Sequence, residues 1–147
     1  MSKPNRFRVA QKVALFNAKN EVLLIRFSQD KRIPEKLQSK WDFPGGGLEW
    51  DESLSAGLAR EIKEELGNII IKIGEPLVIW DWVHTADSRI RTVCVLYKGT
   101  FVDGEIKLSH EHDQFQWAQI KDLESKYFAW DKDDEGLIRR LVKIINC

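Results

Sequence analysis

An acidic segment in the middle of the chain carries the residues best suited to chemistry. Glu61, Glu64 and Glu65 stand at positions i, i+3 and i+4, so a helix places their three carboxylates on one face. Carboxylates this close repel one another and raise each other's pKa. A divalent cation removes that cost, because hard cations such as Mg²⁺ take oxygen ligands. The spacing favours a metal site, and the alternative is a solvated helix face.

Three consecutive glycines, Gly45 to Gly47, precede the acidic segment. Glycine lets a backbone approach a ligand closely, and a run of glycines is expected to break regular structure. A backbone carbonyl in this run could complete the coordination sphere of a cation where a side chain would obstruct it. A solvated helix face does not explain why the acids follow a glycine run at a short fixed distance.

The glycine run and the acidic segment together match a known motif. Gly46, Glu52 and the residues of 60–67 fit the pattern G-x5-E-x7-R-E-U-x-E-E-x-G-U, in which U is a bulky apolar residue. All seven fixed letters are present, which chance produces at a frequency on the order of 10⁻⁹ per starting point. The last U position departs from the pattern, because it holds Asn68. The segment resembles the Nudix box of the MutT-like Nudix hydrolases.

The resemblance implies roles for the charged residues of the box. Glu64 and Glu65 are similar to the family's main metal ligands. Glu61 resembles the acid that binds metal or takes a proton from the attacking water. Arg60 resembles the arginine that orients a catalytic glutamate, and Glu52 is its expected ion-pair partner.

The resemblance also assigns residues outside this acidic core. The carbonyl of Gly45 is similar to an additional metal ligand, while Gly46 and Gly67 serve the backbone geometry. The family often takes a further acid, as metal ligand or base, from a late loop. Glu111, six residues before a tryptophan, resembles that acid; Asp113 is the second candidate, and a solvated loop acid is the alternative.

Two histidines flank this late acid. His110 and His112 bracket Glu111, as in some zinc sites. No cysteine or third histidine stands at zinc-ligand spacing in the sequence, so we expect these to be loop histidines that touch substrate.

Contacts with a nucleotide are predicted for aromatic and cationic side chains. A tryptophan can stack on a nucleobase and an arginine can meet a phosphate. The alternatives are that each tryptophan fills the core and that each arginine faces solvent. The candidates are Trp50, Trp82, Arg26, Arg89 and Arg91.

The periodicity of the chain predicts the elements that must position these residues. The acidic segment reads as a helix from about Ser53 to Leu66, capped by Asp51 or Ser53 and ended by Gly67-Asn68, with an apolar stripe at 54, 58, 62 and 66. A β-hairpin, a polar loop over 28–40 and a terminal helix frame it. The remaining predictions are strands at 8–16, 21–27, 69–83, 89–101, 105–108 and 115–118, a helical turn at 120–125 and a helix over 131–145 with a buried face that includes Ile144.

Length and composition set limits on the class of protein. A chain of 147 residues is expected to be a single domain over 1–147. The 23 basic and 23 acidic residues balance, which argues against a nucleic-acid partner held by excess positive charge and leaves capped RNA ends as the nucleic-acid option. The sequence has no apolar run of 18 residues and no apolar core of a secretory signal, so we expect no membrane partner and a cytoplasmic location.

The resemblance implies both a fold and an activity. The fold is the α+β Nudix fold, an α/β/α sandwich around a mixed β-sheet. The activity is that of a Mg²⁺- or Mn²⁺-dependent pyrophosphohydrolase that cleaves a nucleoside diphosphate linked to another group, with nucleoside triphosphates or nucleotide sugars as the favoured small-molecule substrates. The alternative is a catalytically silent nucleotide-binding or sensor module. Because many family members are dimers, a homodimer stays open.

Overall fold

The chain forms a mixed sheet with helices packed on both of its faces. The computed structural model describes residues 3–84, 86–129 and 136–146. The elements are β1 (Arg6–Phe16), β2 (Val22–Phe27), β3 (Trp41–Asp42), β4 (Gly45–Gly47), α1 (Leu54–Leu66), β5 (Ile70–Val83), β6 (Ile90–Asp103), β7 (His112–Ala118), a 3₁₀ helix (Ile120–Ser125) and α2 (Leu137–Ile145). This order confirms the expected α+β class. None of the helices in the described ranges is long and apolar enough to cross a membrane.

The sheet is built around β1. The strand order is β3-β2-β1-β6-β5, with β4 paired to β1 and β7 paired to β2. Strands β1 and β6 run parallel over their length, while the other pairs are antiparallel. Strand β1 meets β2 only at Phe16 and Val22, and β4 lies beside its middle, at 10–12. The predicted hairpin is confirmed, and β4 is held against the centre of the sheet.

The two faces of the sheet bury separate apolar clusters. Alternate residues of β1 serve both faces: Ala14 and Phe16 pack on the side of α2, and Val13 and Leu15 pack on the side of α1. The apolar side chains that α1 buries are Leu58, Ile62 and Leu66. The expected α/β/α layering is therefore confirmed.

The ends of α1 follow the sequence prediction. The Ser53 hydroxyl accepts a hydrogen bond from the Ala56 amide at 3.2 Å and caps the first turn. Gly67, with φ of 83°, ends the helix in a conformation that a side chain would strain. Leu54 departs from the predicted stripe, since it is 52% exposed at the start of the helix.

Other departures from the prediction have non-local causes. The glycine run does not break regular structure but forms β4, because 45–47 pair with 10–12 of β1. The predicted strand at 105–108 is wrong: this segment lies against the end of α1, where the Lys107 amide donates to the Leu66 carbonyl at 2.9 Å. Ile144 is 41% exposed rather than buried, and positions 131–135 of the predicted terminal helix lie outside the described residues.

Candidate metal centre and active site

A cavity of about 520 Å³ opens where β4, α1 and the loop before β7 meet. Helix α1 is covered on one face by the sheet, and its acidic residues lie along the edge beside β4. The loop before β7 reaches the same place because Ser28, at the end of β2, binds it twice: its amide donates to the Glu111 carbonyl and its hydroxyl to the His110 carbonyl. The predicted residues that line the cavity are Gly45, Gly46, Glu61, Glu64, Glu65 and Glu111.

The three helix acids occupy different environments. Glu65 is buried, and its Oε2 accepts a hydrogen bond from the Gly45 amide at 2.8 Å. Burial raises the pKa of Glu65 to about 8, against the opposing influence of the Lys12 ammonium and that amide. Burial also raises the pKa of Glu61, against the opposing effect of a hydrogen bond from Arg60. The Glu64 side chain is 59% exposed. The face therefore runs from a buried acid to a solvated one.

Arg60 connects Glu52, near the start of the box, to Glu61 on α1. Its Nε and Nη2 donate to the two carboxylate oxygens of Glu52 at 2.9 and 2.6 Å. Its Nη1 donates to Glu61 Oε1 at 3.1 Å, and Nη2 also donates to the Gly47 carbonyl at 3.0 Å. The hydrogen bonds from Arg60 lower the pKa of Glu52 to about 2. The expected Arg60–Glu52 ion pair is thus present, and it presents a third nitrogen to Glu61.

A buried ion pair adjoins the acids and was missed by the sequence analysis. Lys12 Nζ lies 2.7 Å from Asp42 Oδ2, and both side chains are nearly inaccessible to solvent. Burial alone lowers the pKa of Lys12, but Asp42, Cys94 and Glu65 together outweigh burial and leave that pKa raised. Both residues line the cavity with Glu65. The one signal in the sequence was a lysine directly before the apolar run 13–16 of strand β1.

Two of the three glycines of β4, Gly45 and Gly46, are required by close approaches. A Cβ on Gly46 would overlap the carboxylate of Glu61. Gly45 has φ of 140°, and a Cβ there would overlap the Gln11 carbonyl of β1. The backbone of β4 therefore reaches the acids only because these positions lack side chains.

The loop acid Glu111 lines the cavity, and the next residue, His112, is buried at the start of β7. Glu111 is exposed, while His112 is only 5% exposed and packs its ring 4.7 Å from that of Phe27. Burial lowers the pKa of His112 to about 4. Ligand atoms of Glu65, Glu111 and His112 lie within 4.8 Å of one another. The loop thus faces the most buried acid of α1.

The donor set fits a divalent cation. The described side chains that line the cavity include five carboxylates, those of Asp42, Glu61, Glu64, Glu65 and Glu111, against one lysine. Oxygen donors of this kind are the ligands that Mg²⁺ and Mn²⁺ take in proteins. Glu65, whose burial favours the protonated form, ionises readily only if a positive charge compensates it.

The predicted arginine contacts lie outside this cavity. Arg26 donates two hydrogen bonds to Asp113, at 2.9 and 3.2 Å. Asp113, the second candidate for the loop acid, is therefore paired with an arginine. Arg89 pairs with Asp87 at 2.8 Å. Arg91 is half exposed and forms an ion pair with Asp81. All three arginines already have carboxylate partners, and their roles toward substrate stay predictions.

The predicted tryptophan contacts are also away from the acids. Trp50 is fully exposed in the turn before α1. Trp82 packs 6.0 Å from Trp80, against the apolar cluster on the side of α2. Neither lines the 520 Å³ cavity, so stacking on a nucleobase stays a prediction for both.

Comparison with known proteins agrees with this fold. The family model described as NUDIX domain matches residues 6–141, and the chain belongs to the Nudix family. It is accordingly a hydrolase that acts on phosphoric anhydride bonds. The predicted Nudix fold and MutT-like resemblance are confirmed.

Similar proteins and structures span most of the chain. The nucleoside triphosphatase NudI of Escherichia coli is 28% identical over 108 residues, which are 69% of this chain and 74% of that protein. The MutT protein from Methanosarcina mazei Go1 has a TM-score of 0.75 at 24% identity, covering 99% of this chain and 96% of that one. The MutT NUDIX hydrolase from Burkholderia pseudomallei has a TM-score of 0.63 at 29% identity, covering 80% and 87%.

Proposed function

We propose that the protein is a Mg²⁺- or Mn²⁺-dependent pyrophosphohydrolase of small nucleotides, with nucleoside triphosphates as its first substrate class. It cleaves a nucleoside diphosphate linked to another group and releases a nucleoside monophosphate plus pyrophosphate or a phosphorylated group. The observation that carries this proposal is the convergence of Glu61, Glu64, Glu65 and Glu111 on one cavity beside the glycine strand β4.

The charge of the cavity supports the requirement for a metal. Five carboxylates repel a pyrophosphate, and the Lys12 ammonium is already engaged by Asp42. When bound, a divalent cation neutralises phosphate oxygens and acidifies a water molecule. Glu64, Glu65 and the Gly45 carbonyl are the groups proposed to hold it, with Glu61 and Glu111 beside them.

The proton of the attacking water goes to a carboxylate at the same cavity. Glu61 suits this task because the Arg60 guanidinium fixes one of its oxygens at 3.1 Å and leaves the other free of that contact. Glu111 is the second candidate, since it lines the same cavity and is exposed. Arg60 acts as a positioning residue, and Glu52 holds Arg60.

The substrate class rests on the relatives. The Escherichia coli relative is described as a nucleoside triphosphatase, which supports triphosphates at 28% identity. Nucleotide sugars are the second proposed substrate class, which the resemblance of the sequence to the family implies. The silent sensor remains the alternative function, although the full set of box acids favours turnover. A single domain over 1–147, a cytoplasmic location and a homodimer stay predictions.

A product assay tests the proposal. The protein is incubated with Mg²⁺ or Mn²⁺ and nucleoside triphosphates, nucleotide sugars, ADP-ribose, dinucleoside polyphosphates or capped RNA, and the released nucleotide is identified. Glu65→Gln removes a proposed ligand, while Glu75→Gln changes an exposed acid on β5 and serves as the matched control. We expect metal-dependent release that Glu65→Gln abolishes and Glu75→Gln retains. Nucleotide binding with no turnover of any of these substrates would support the sensor instead.

A further inference from the structure

His112 is a buried imidazole whose position the proposed chemistry does not explain. The residue is 5% exposed, and Nδ1 has no hydrogen-bond partner among the described residues. A buried polar atom without a partner has lost its hydrogen bonds to water and gained none in return. Such an atom beside a site indicates a ligand that the protein chain itself does not supply.

The neighbours of this imidazole are carboxylates of the proposed metal site. One ring nitrogen of His112, one carboxylate oxygen of Glu65 and one of Glu111 all lie within 4.8 Å of one another. Ligand atoms on opposite sides of a divalent ion are separated by about 4.2 Å. Small side-chain rotations therefore bring all three groups to bonding distance of one ion.

From this geometry we infer that His112 is a nitrogen ligand of the divalent cation, completing a mixed nitrogen and oxygen site with Glu65 and Glu111. The inference rests on the proposed function and deepens it, because it names a ligand outside the box. His112 is anchored for this role: its ring packs on Phe27, and Ser28 holds the two preceding carbonyls.

A nitrogen ligand changes the choice of metal. Carboxylates and water suit Mg²⁺, whereas an imidazole shifts a site toward transition metals, with affinity rising from Mn²⁺ through Co²⁺. The protein should therefore bind Mn²⁺ and Co²⁺ more tightly than Mg²⁺. His110 also lines the cavity, yet it is not part of the three-residue cluster, and it provides a matched control of the same residue type.

Pulsed electron paramagnetic resonance of bound Mn²⁺ tests the assignment without relying on activity. The intact protein is prepared with natural histidine and with ¹⁵N-histidine, which labels only His84, His110 and His112. We expect a directly coordinated nitrogen whose coupling changes with the label. The coupling should disappear in His112→Gln and persist in His110→Gln. Mn²⁺ affinity should fall about 10-fold or more in His112→Gln, and the preference for Mn²⁺ over Mg²⁺ should narrow.

Several outcomes separate this inference from the proposed function. Bound Mn²⁺ without histidine coupling in the unsubstituted protein overturns the inference, even if hydrolysis is metal-dependent. Unchanged Mn²⁺ affinity in a folded His112→Gln protein, with a raised KM, overturns it in favour of a substrate contact. Histidine coupling without turnover of any nucleotide supports His112 as a metal ligand and contradicts the proposed hydrolase activity. Because the labelled spectrum needs no substitution, a misfolded variant does not remove the test.

Discussion

Arg60 and Glu52 are joined by two parallel hydrogen bonds, from Nε to Oε2 at 2.9 Å and from Nη2 to Oε1 at 2.6 Å. Glu52 precedes α1 and Arg60 lies eight residues later on it, so the pair ties the turn to the helix. With two of its nitrogens fixed in this way, the guanidinium directs Nη1 to Glu61 at 3.1 Å. The pair therefore fixes the orientation of the guanidinium that contacts Glu61.

Arg60→Lys should lower kcat strongly while changing the free energy of unfolding little. A lysine keeps the charge but loses the planar fork that binds Glu52 and Glu61 at once. We expect kcat to fall about 10- to 100-fold, the usual cost of losing a group that orients a ligand. Steady-state kinetics and urea unfolding measure the two effects. Arg32→Lys, in the exposed pair with Asp30, is the control, and equal kcat for both variants would contradict the positioning role.

Gly46→Ala should displace the Glu61 carboxylate. The new Cβ would overlap that carboxylate, and misplacing a reacting group by about 1 Å costs roughly 100-fold in rate. We expect kcat to fall by about that factor, with the fold retained by circular dichroism. Gly47→Ala is the matched control, since its Cβ would meet only the mobile end of Arg8, at 3.1 Å. Similar losses in both variants would show that β4 tolerates no side chain and that Glu61 is not the cause.

The local parts of this arrangement are those that sequence periodicity could predict. The helix and its buried stripe at Leu58, Ile62 and Leu66 follow from spacing and capping within one segment. The strand at 45–47 does not, because glycines have no strand preference and pair here through β1 alone. The 105–108 segment has strand-like residues, but its Lys107 amide is taken by the end of α1.

The site shows the same division. The box acids were predictable from one contiguous motif, and Glu111 was proposed from its resemblance to the family's late-loop acid. Lys12 and Asp42 were not, since they are 30 positions apart and meet only when β1 and β3 enter the same sheet. A lysine beside an apolar run does not by itself show whether it pairs internally or faces water, so this signal did not predict the pair.

The metal-free protein should lose stability as pH rises through the range set by Glu65. Its pKa is about 8 in the folded protein against a usual value of 4.5. Below pH 4.5 both states are protonated, so this group adds no pH dependence. Between pH 4.5 and about 8, Glu65 ionises in the unfolded chain but keeps its proton in the folded protein. This difference lowers the free energy of unfolding by an amount on the order of a few kcal/mol.

Urea unfolding in EDTA at pH 5, 7 and 9 checks this expectation. Glu65→Gln keeps an acceptor for the Gly45 amide and removes the titration, so its stability should exceed that of the unsubstituted protein increasingly toward pH 9. Added Mn²⁺ should restore the stability of the unsubstituted protein at high pH but should not raise that of the variant. Parallel pH curves for the two proteins would show that Glu65 does not carry this dependence.

Lys12→Met should destabilise the fold strongly, because it leaves the Asp42 carboxylate buried without its counter-ion. Breaking one side of such a pair costs about 3–5 kcal/mol, whereas replacing both charges is often neutral. Adding Asp42→Asn to Lys12→Met should therefore recover most of the loss, since an amide oxygen can still accept from the Phe43 amide. Urea unfolding of the two single variants and the double variant completes the cycle. Lys72→Met, at an exposed position of β5, controls for the loss of a lysine on the same sheet. If Lys12→Met is no more costly than Lys72→Met, the pair of Lys12 and Asp42 contributes little to the stability of the fold.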